Sequence, residues 1–318
     1  MSSFSDCLVV SLGDLVADVV VAIPALPVEA DRDQLVQKIQ LEPGGAGNFL
    51  IAGSRLGMRM VALGAIGDDL YGRETLRVLR NEGVDIRMVA CQAEGTTTTV
   101  FAITDENGKH VYLGQYGSGP LVPLSVQWKQ ALSIADAVMT YGYTLNEPRL
   151  VDTMLAGMEY ARAQGKLVVF DPGPQAATAA PGLCEQAVKR ASALLLTGDE
   201  VQSITGDADP ESVRGLLSDA LRLVCVKFGE QGCVIHTADE RVEHPGYRVE
   251  LRDTSAAGDS FAAAFIGTYL RGRPLAEVAV IANAMGAAKV RKLGAGRSVP
   301  TLEEVRAVLQ QAGAGIQL

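Results

Sequence analysis

At 318 residues and 48% hydrophobic, the chain can bury a large core, as one big domain or one domain with a smaller appendage. A formal net charge of −9, with Lys and Arg scattered along the chain, excludes nucleic acid and anionic membranes as expected partners. The five cysteines form no CxxC and read as buried thiols of a reducing compartment, and the three histidines lack metal-ligand spacing, which argues against a zinc site.

Met1–Asp6 has no basic region of the kind that opens a signal peptide, and no apolar run downstream approaches a membrane span, so a cytoplasmic location is expected. Leu8–Leu12 is the first of a series of apolar strands that continues with Met60–Leu63, Ala137–Thr140, Leu167–Phe170, Ala193–Leu196 and Leu223–Lys227. Helical stretches are expected at Asn48–Leu56, Tyr71–Asn81, Arg149–Gln164, Glu211–Leu221, Ser260–Leu270 and Leu275–Leu293. This alternation predicts an α/β fold, a doubly wound and mostly parallel central sheet with helices on both faces. Ligands of such sheets bind beyond the carboxyl ends of the strands. The turns there are rich in Gly, Asp and Thr, as at Gly13-Asp14, Gly64–Gly67, Asp171-Pro172-Gly173, Thr197–Glu200 and Gly229.

Two regions break the alternation. Val16–Ile23 and Gln34–Leu41 read as strands with no helix between them, and Thr96–Thr104 with Lys109–Tyr116 reads as a hairpin around Glu106-Asn107-Gly108. Strands with no place in a doubly wound sheet can pair with each other, so residues of about 15–41 and 96–117 are expected to form a small β lid on one domain of residues 1–318. There is no internal repeat and no linker long enough to separate independent domains.

Two segments carry chemistry. In Pro43-Gly44-Gly45-Ala46-Gly47-Asn48 the glycines let backbone pass close to a ligand, and Asn48 can both donate and accept hydrogen bonds; a glycine turn with Asn48 as helix cap explains the segment equally well. Asp253-Thr254-Ser255-Ala256-Ala257-Gly258-Asp259 runs straight into the apolar stretch Phe261–Leu270, which describes a tight turn feeding a buried helix. The unpaired N–H groups of a helix N-terminus suit an anion, and Ala256, Ala257 and Gly258 have almost no side chain to obstruct a phosphate. A carboxylate at Asp259 repels an anion, yet makes sense as the base that takes a proton from the group attacking that phosphate. Capping is the bland alternative, but Asp253 or Thr254 can cap and leave Asp259 free. Neither a GxGxxG fingerprint after the first strand nor a GxxxxGK[ST] loop is present, against a Rossmann dehydrogenase and a P-loop ATPase.

With these residues the chain resembles the ribokinase-like, or phosphofructokinase-B, family of carbohydrate kinases. Asp253–Asp259 resembles the family's C-terminal signature, and the glycine turn through Asn48 its N-terminal one, one residue shorter than in ribokinases. Gly13 and Asp18, Gly64–Asp69 with Gly72, Gly83-Val84-Asp85, Lys227-Phe228-Gly229 with Gly232, and Asn283 match in the family's order over nearly the whole chain.

The resemblance implies ATP-dependent phosphorylation of a primary hydroxyl of a small-molecule sugar. Asp259 is then the catalytic base, and the backbone of Ala256, Ala257 and Gly258 the anion hole. Glu200 matches the acidic end of the motif that organises Mg²⁺ and its waters, and Thr197 stands where the family usually has Asn. Thr197, Lys227, Gly229, Gly258 and Asn283 fall where ATP lies, while Asp18, Gly44, Gly45 and Asn48 match the sugar side. Val16 replaces a polar residue of ribokinases, Asp14 is placed to substitute for it, and Glu147 is a weaker candidate for the same pocket. Asp253 and Ser298 match a potassium site, and the lid is the expected homodimer interface. A nucleoside kinase, with Phe101, Tyr112 and Tyr116 as a base clamp, is the alternative; a non-catalytic sugar- or nucleotide-binding regulator ranks below it.

Overall fold

The computed structural model describes residues 4–31, 33–36, 38–107, 109–174, 182–316 and 318, so the hairpin-turn position Gly108 lies outside the described residues. The apolar strands expected from the sequence are β1 (Leu8–Leu12), β4 (Arg59–Leu63), β9 (Ala137–Tyr141), β10 (Leu167–Asp171), β11 (Ala193–Thr197) and β12 (Leu223–Lys227). Among the described residues they line up with β13 (Cys233–His236) and β14 (Arg241–His244) in one eight-stranded sheet of order β14-β13-β12-β11-β10-β9-β1-β4. β1, β4 and β9 to β12 are parallel, and β13 and β14 close one edge antiparallel.

Alternate strand residues feed two cores. Val9, Met139, Leu195 and Cys225 pack under α1 (Ala46–Arg55), α2 (Leu70–Asn81), α7 (Ala257–Leu270), α8 (Leu275–Val290) and α9 (Leu302–Gln311). Val10, Val138, Leu194 and Val224 pack on the opposite face under α3 (Val126–Ile134), α4 (Val151–Ala163), α5 (Leu183–Arg190) and α6 (Gly198–Thr205). With both faces covered, every strand position between Val9 and Leu12 is buried, as continuous apolar strands require.

A separate four-stranded sheet, β3-β2-β7-β8, is built from β2 (Leu15–Ala22), β3 (Lys38–Gly45), β7 (Thr98–Thr104) and β8 (His110–Gln115). A short parallel pair, β5 (Ala65–Gly67) and β6 (Ala90–Gln92), stands beside it in sequence. β3 begins at Lys38 rather than near Gln34 and runs through Pro43-Gly44-Gly45, which the sequence reads as a turn. Those glycines keep strand pairing, Gly44 with Val16 and Gly45 with Leu15, up to the first residue of α1. The helix expected over Glu211–Leu221 is only a 3-10 segment, Pro210–Leu216, with extended backbone at Leu217. Gly215 lies in its last turn, and the single buried anchor Val213 leaves little to hold a longer amphipathic helix.

One buried ion pair fixes the root of the small sheet. Arg149 donates to both Glu147 oxygens, Nε to Oε1 at 2.9 Å and Nη2 to Oε2 at 3.0 Å. Its Nη1 donates to Gln92 Oε1 and to the carbonyls of Thr96 and Ser118, where the β7–β8 hairpin leaves the body of the molecule. Arg149→Met leaves a carboxylate uncompensated in the interior, and is expected to cost roughly 3–5 kcal/mol of unfolding free energy in a urea titration. Combining it with Glu147→Gln is expected to recover a large part of that loss.

Candidate active site

The N-terminus of α7 opens at the carboxyl end of the central sheet. Ala256 adopts the left-handed conformation (φ 60°) that ends the turn, and Ala257 starts the helix. Ala257 N–H is taken by Thr254 O at 3.1 Å, which corrects its expected role as an anion donor. The first-turn N–H groups of Gly258 and Asp259 precede any intrahelical acceptor and face the site in its place. Lys227, at the end of β12, brings its Nζ to 3.7 Å from where a Cβ on Gly258 would stand. Backbone donors therefore lie on one side of this turn and an ammonium on the other.

Lys227 Nζ donates to Asp171 Oδ2 at 2.7 Å. Burial alone would lower its pKa, but Asp171 and Glu200 hold it above the ordinary lysine value. Asp171 ends β10 and is a site residue that sequence reasoning passed over as part of a turn; an acidic side chain at the carboxyl end of a central parallel strand was the available signal. Glu200 lies in the first turn of α6 and accepts from Thr197 N at 2.9 Å. Burial, then the Asp171 carboxylate, raise its pKa. Both carboxylates sit beside Lys227, next to a cleft of about 350 Å³ lined by Gly173, Thr197, Asp199, Glu200 and Ser203. Gly229 takes a left-handed φ of 58° just beyond Lys227, with open space around it. Asn283 is buried in α8, and its amide donates to Ala279 O at 2.8 Å and to Cys233 Sγ at 3.2 Å, so its donors serve the helix packing and not a nucleotide.

On the other side of Asp259, Asn48 in the first turn of α1 donates Nδ2–H to Asp259 Oδ2 at 3.0 Å. Its Oδ1 accepts from Gly296 N at 2.8 Å. Asp18, on β2, comes from the small sheet, and strand register sets it opposite Glu42. A Cβ on Gly44 would lie 2.2 Å from the Asp18 carboxyl, so glycine at that position is what lets Asp18 turn inward. Gly45, with φ 49°, lies against Val16 and ends β3.

Burial, then the neighbouring Asp171, push Asp259 up to about 7, against the hydrogen bond from Asn48 and the charges of Lys227 and Lys289. Asp18 is also pushed up to about 7, by burial and then by Asp259 and Glu42. Asp14 belongs to a different cluster at the root of the small sheet, pushed to about 7 by burial and by Glu147. Its N–H donates to Thr144 Oγ1 at 3.2 Å, while Oδ1 is a buried acceptor with no hydrogen bond among the described residues, 3.9 Å from Arg149 Nη2. Glu147 is spent on Arg149 and on Thr98 Oγ1, which leaves it a structural anchor rather than the pocket residue considered from the sequence.

Asp253 is buried just before the turn that starts α7. Its Oδ1 accepts from Ser255 N at 2.8 Å and its Oδ2 from Gly294 N at 2.6 Å. Ser298 is in the same neighbourhood, its hydroxyl 3.6 Å from the Cβ position of Gly294. Two aromatic side chains border the site. Tyr112 of β8 hydrogen-bonds Ser255, and Tyr143 lies against Gly173, within electrostatic reach of Asp259, Asp171 and Tyr112. Tyr143 was not singled out from the sequence, which carries no signal for it beyond a position after β9.

A helix N-terminus, an ammonium and a carboxylate converge on one point, the arrangement required to move a phosphoryl group onto a hydroxyl. The chain is 32% identical to an ATP-dependent ribose-1-phosphate kinase of Halopiger xanaduensis, over 95% of this chain and 98% of that protein. It is 27% identical to a nucleoside kinase of Methanothermobacter thermautotrophicus, over 98% of each chain. The crystal structure of Arabidopsis thaliana ribokinase with ribose and ATP superposes with a TM-score of 0.81 at 21% identity, covering 96% of this chain and 98% of that one, and it shares the fold. The model of the pfkB family of carbohydrate kinases matches residues 7–302, and the chain belongs to that family.

Proposed function

We propose that this ATP-dependent phosphotransferase uses Asp259 to accept the proton of a primary sugar hydroxyl as the γ-phosphate moves onto it. The carrying observation is the Asn48–Asp259 hydrogen bond, which joins the sugar-side turn to the phosphate-binding helix at one carboxylate. An alcohol is far too weak an acid to ionise first, so the proton leaves late, as the phosphorus–oxygen bond forms. The N–H groups of Gly258 and Asp259 and the Lys227 ammonium receive the charge of the transferring phosphate. Asp18 and Asn48 bind sugar hydroxyls, with Gly44 and Gly45 as the floor beneath them.

Glu200 and Asp171 are like charges held close together, a donor set that suits a divalent cation. Mg²⁺ brought with ATP would be held there and would shield the phosphate charge. Potassium has no part in this reading, because both Asp253 oxygens accept backbone N–H groups and a buried cation, Lys289, lies within electrostatic reach of that carboxyl. The small sheet acts as a lid, its inner face carrying Asp18 and Tyr112 over the site. Its outer face leaves Ile39, Phe101, Val111 and Leu113 exposed, an apolar surface that would pair with a second copy of the chain. Tyr112 and Tyr143 favour a nucleoside as the second reading, since a base could stack on either ring.

Asp259→Asn is expected to lower kcat roughly 10²–10⁴-fold with little change in the KM for ATP, measured by coupled ADP release over a sugar and nucleoside panel. Asp18→Ala is expected to raise the KM for the sugar about tenfold to hundredfold and to leave the KM for ATP near its starting value.

The raised carboxyl pKa values set opposite trends for activity and stability. Asp259 works only as the carboxylate, so kcat/KM for the sugar should rise with pH through about 7 and then level off. In the unfolded chain the same group titrates near 3.8, so the native state holds the proton more tightly. The resulting stabilisation is full below 3.8 and is lost as pH rises towards about 7. Asp259→Asn is therefore expected to raise the melting temperature of the ligand-free protein above pH 7 and to have a smaller effect near pH 5.

A further inference from the structure

Lys289 is fully buried in the last turn of α8, and the reaction above makes no direct use of it. An ammonium is costly to bury unless oxygen atoms surround it. Its Nζ donates to Lys292 O at 3.0 Å, just past the helix C-terminus, where the backbone favours positive charge. Burial draws its pKa down to about 8, opposed by Asp253 and by Asp259, so it keeps its charge at neutral pH.

The surroundings of this charge form one knot. Val290 O accepts from the N–H groups of Arg252 and Asp253, and Asp253 in turn holds Ser255 N and Gly294 N. Ser255 immediately precedes the left-handed Ala256, and two residues beyond Gly294 the N–H of Gly296 holds Asn48 Oδ1. The segment before the anion hole, the end of α8 and the loop reaching back to Asn48 therefore meet around Asp253. The Asp253 side chain is buried there with two backbone N–H donors, and the Lys289 ammonium is enclosed within electrostatic reach of it. The resemblance read from the sequence puts potassium at Asp253 and Ser298, but both Asp253 oxygens are aimed at backbone N–H groups and the cation is part of the chain.

We propose that Lys289 is a built-in monovalent cation that holds the Asp253 knot, and through it the anion hole, so that this kinase works equally well in sodium and in potassium. Lys289 is a positioning residue, acting on the phosphate through Asp253 and the turn at Ser255-Ala256. The inference rests on the reading of the α7 N-terminus as the phosphate site. It predicts that removing the ammonium creates a cation requirement which the native chain lacks.

The test measures initial rates of the wild type and of Lys289→Ala in matched NaCl, KCl and NH₄Cl. The wild type should differ by less than about twofold among the salts. Lys289→Ala should lose roughly tenfold to hundredfold in kcat in NaCl, as expected for a displaced catalytic turn. KCl or NH₄Cl should restore much of that loss, and the KM for the sugar should move little. Potassium activation of the wild type would overturn the proposal, and this arm needs no variant. A Lys289→Ala enzyme that keeps full activity, or one whose loss no cation reverses, would overturn it as well. Melting curves of the variant in the same salts give a second readout: a rise specific to K⁺ or NH₄⁺ supports a cation site, and identical melts with uniformly low rates count against it. Asp259→Asn reports on the base and the salt response on Lys289, so the two readings fail separately.

Discussion

The hydrogen bond from Asn48 to Asp259 is the contact on which the site depends. It spans 211 residues of sequence and joins the first turn of α1 to the first turn of α7. Because Asn48 also accepts from Gly296, one side-chain amide sets the relative positions of the start of α1, Asp259 and the loop after α8. An amide is suited to this task because it carries donor and acceptor on one rigid plane. A hydroxyl is too short to reach both partners, and a carboxylate would repel Asp259.

Around this contact the fold concentrates charge that it does not fully neutralise. Asp18, Asp259 and Asp171 lie near one another, and burial raises the cost of ionising the first two. Lys227 offsets Asp171 directly, and Lys289 offsets Asp253 one layer further back. On the proposed reading the uncompensated remainder is what a substrate-loaded site would use, with sugar hydroxyls at Asp18 and the cation of ATP on the Glu200 side. The large apolar cores above and below the sheet hold these charges in place.

Much of this was legible in the sequence, for a physical reason. Buried parallel strands must be apolar throughout, so β1, β9, β10 and β12 announce themselves, and small residues before an apolar helix announce the anion hole. The antiparallel edge was not legible. Cys233–His236 and Arg241–His244 are four residues each and stand at a boundary where polar and apolar patterns blur. Asp69, read from the sequence only as part of a motif that matches the family, does structural work. It caps α2 through Gly72 N and ties that helix to Thr97 at the root of the small sheet. Lys289 was hidden because a lysine in the last turn of a helix is ordinarily a solvated cap, and only packing reveals that this one is enclosed.

The glycine segment takes a different shape from the turn expected of it. Pro43-Gly44-Gly45 was read as a loop that brings backbone to a ligand, whereas these residues extend β3. Gly44 is required by a side chain on the neighbouring strand, since only a missing Cβ leaves room for the Asp18 carboxyl. Strand register then does what a loop could not. It fixes Asp18 opposite Glu42, with Val16 opposite Gly44, and Glu42 is itself anchored to Arg297 on the loop that holds Asn48. The small sheet is thus tied to the Asn48 loop at Glu42 and, at its root, to the body of the molecule at Arg149. A movement of the sheet over bound sugar would have to pivot between these two anchors, carrying Asp18 and Tyr112 while leaving Asn48 and Asp259 in place.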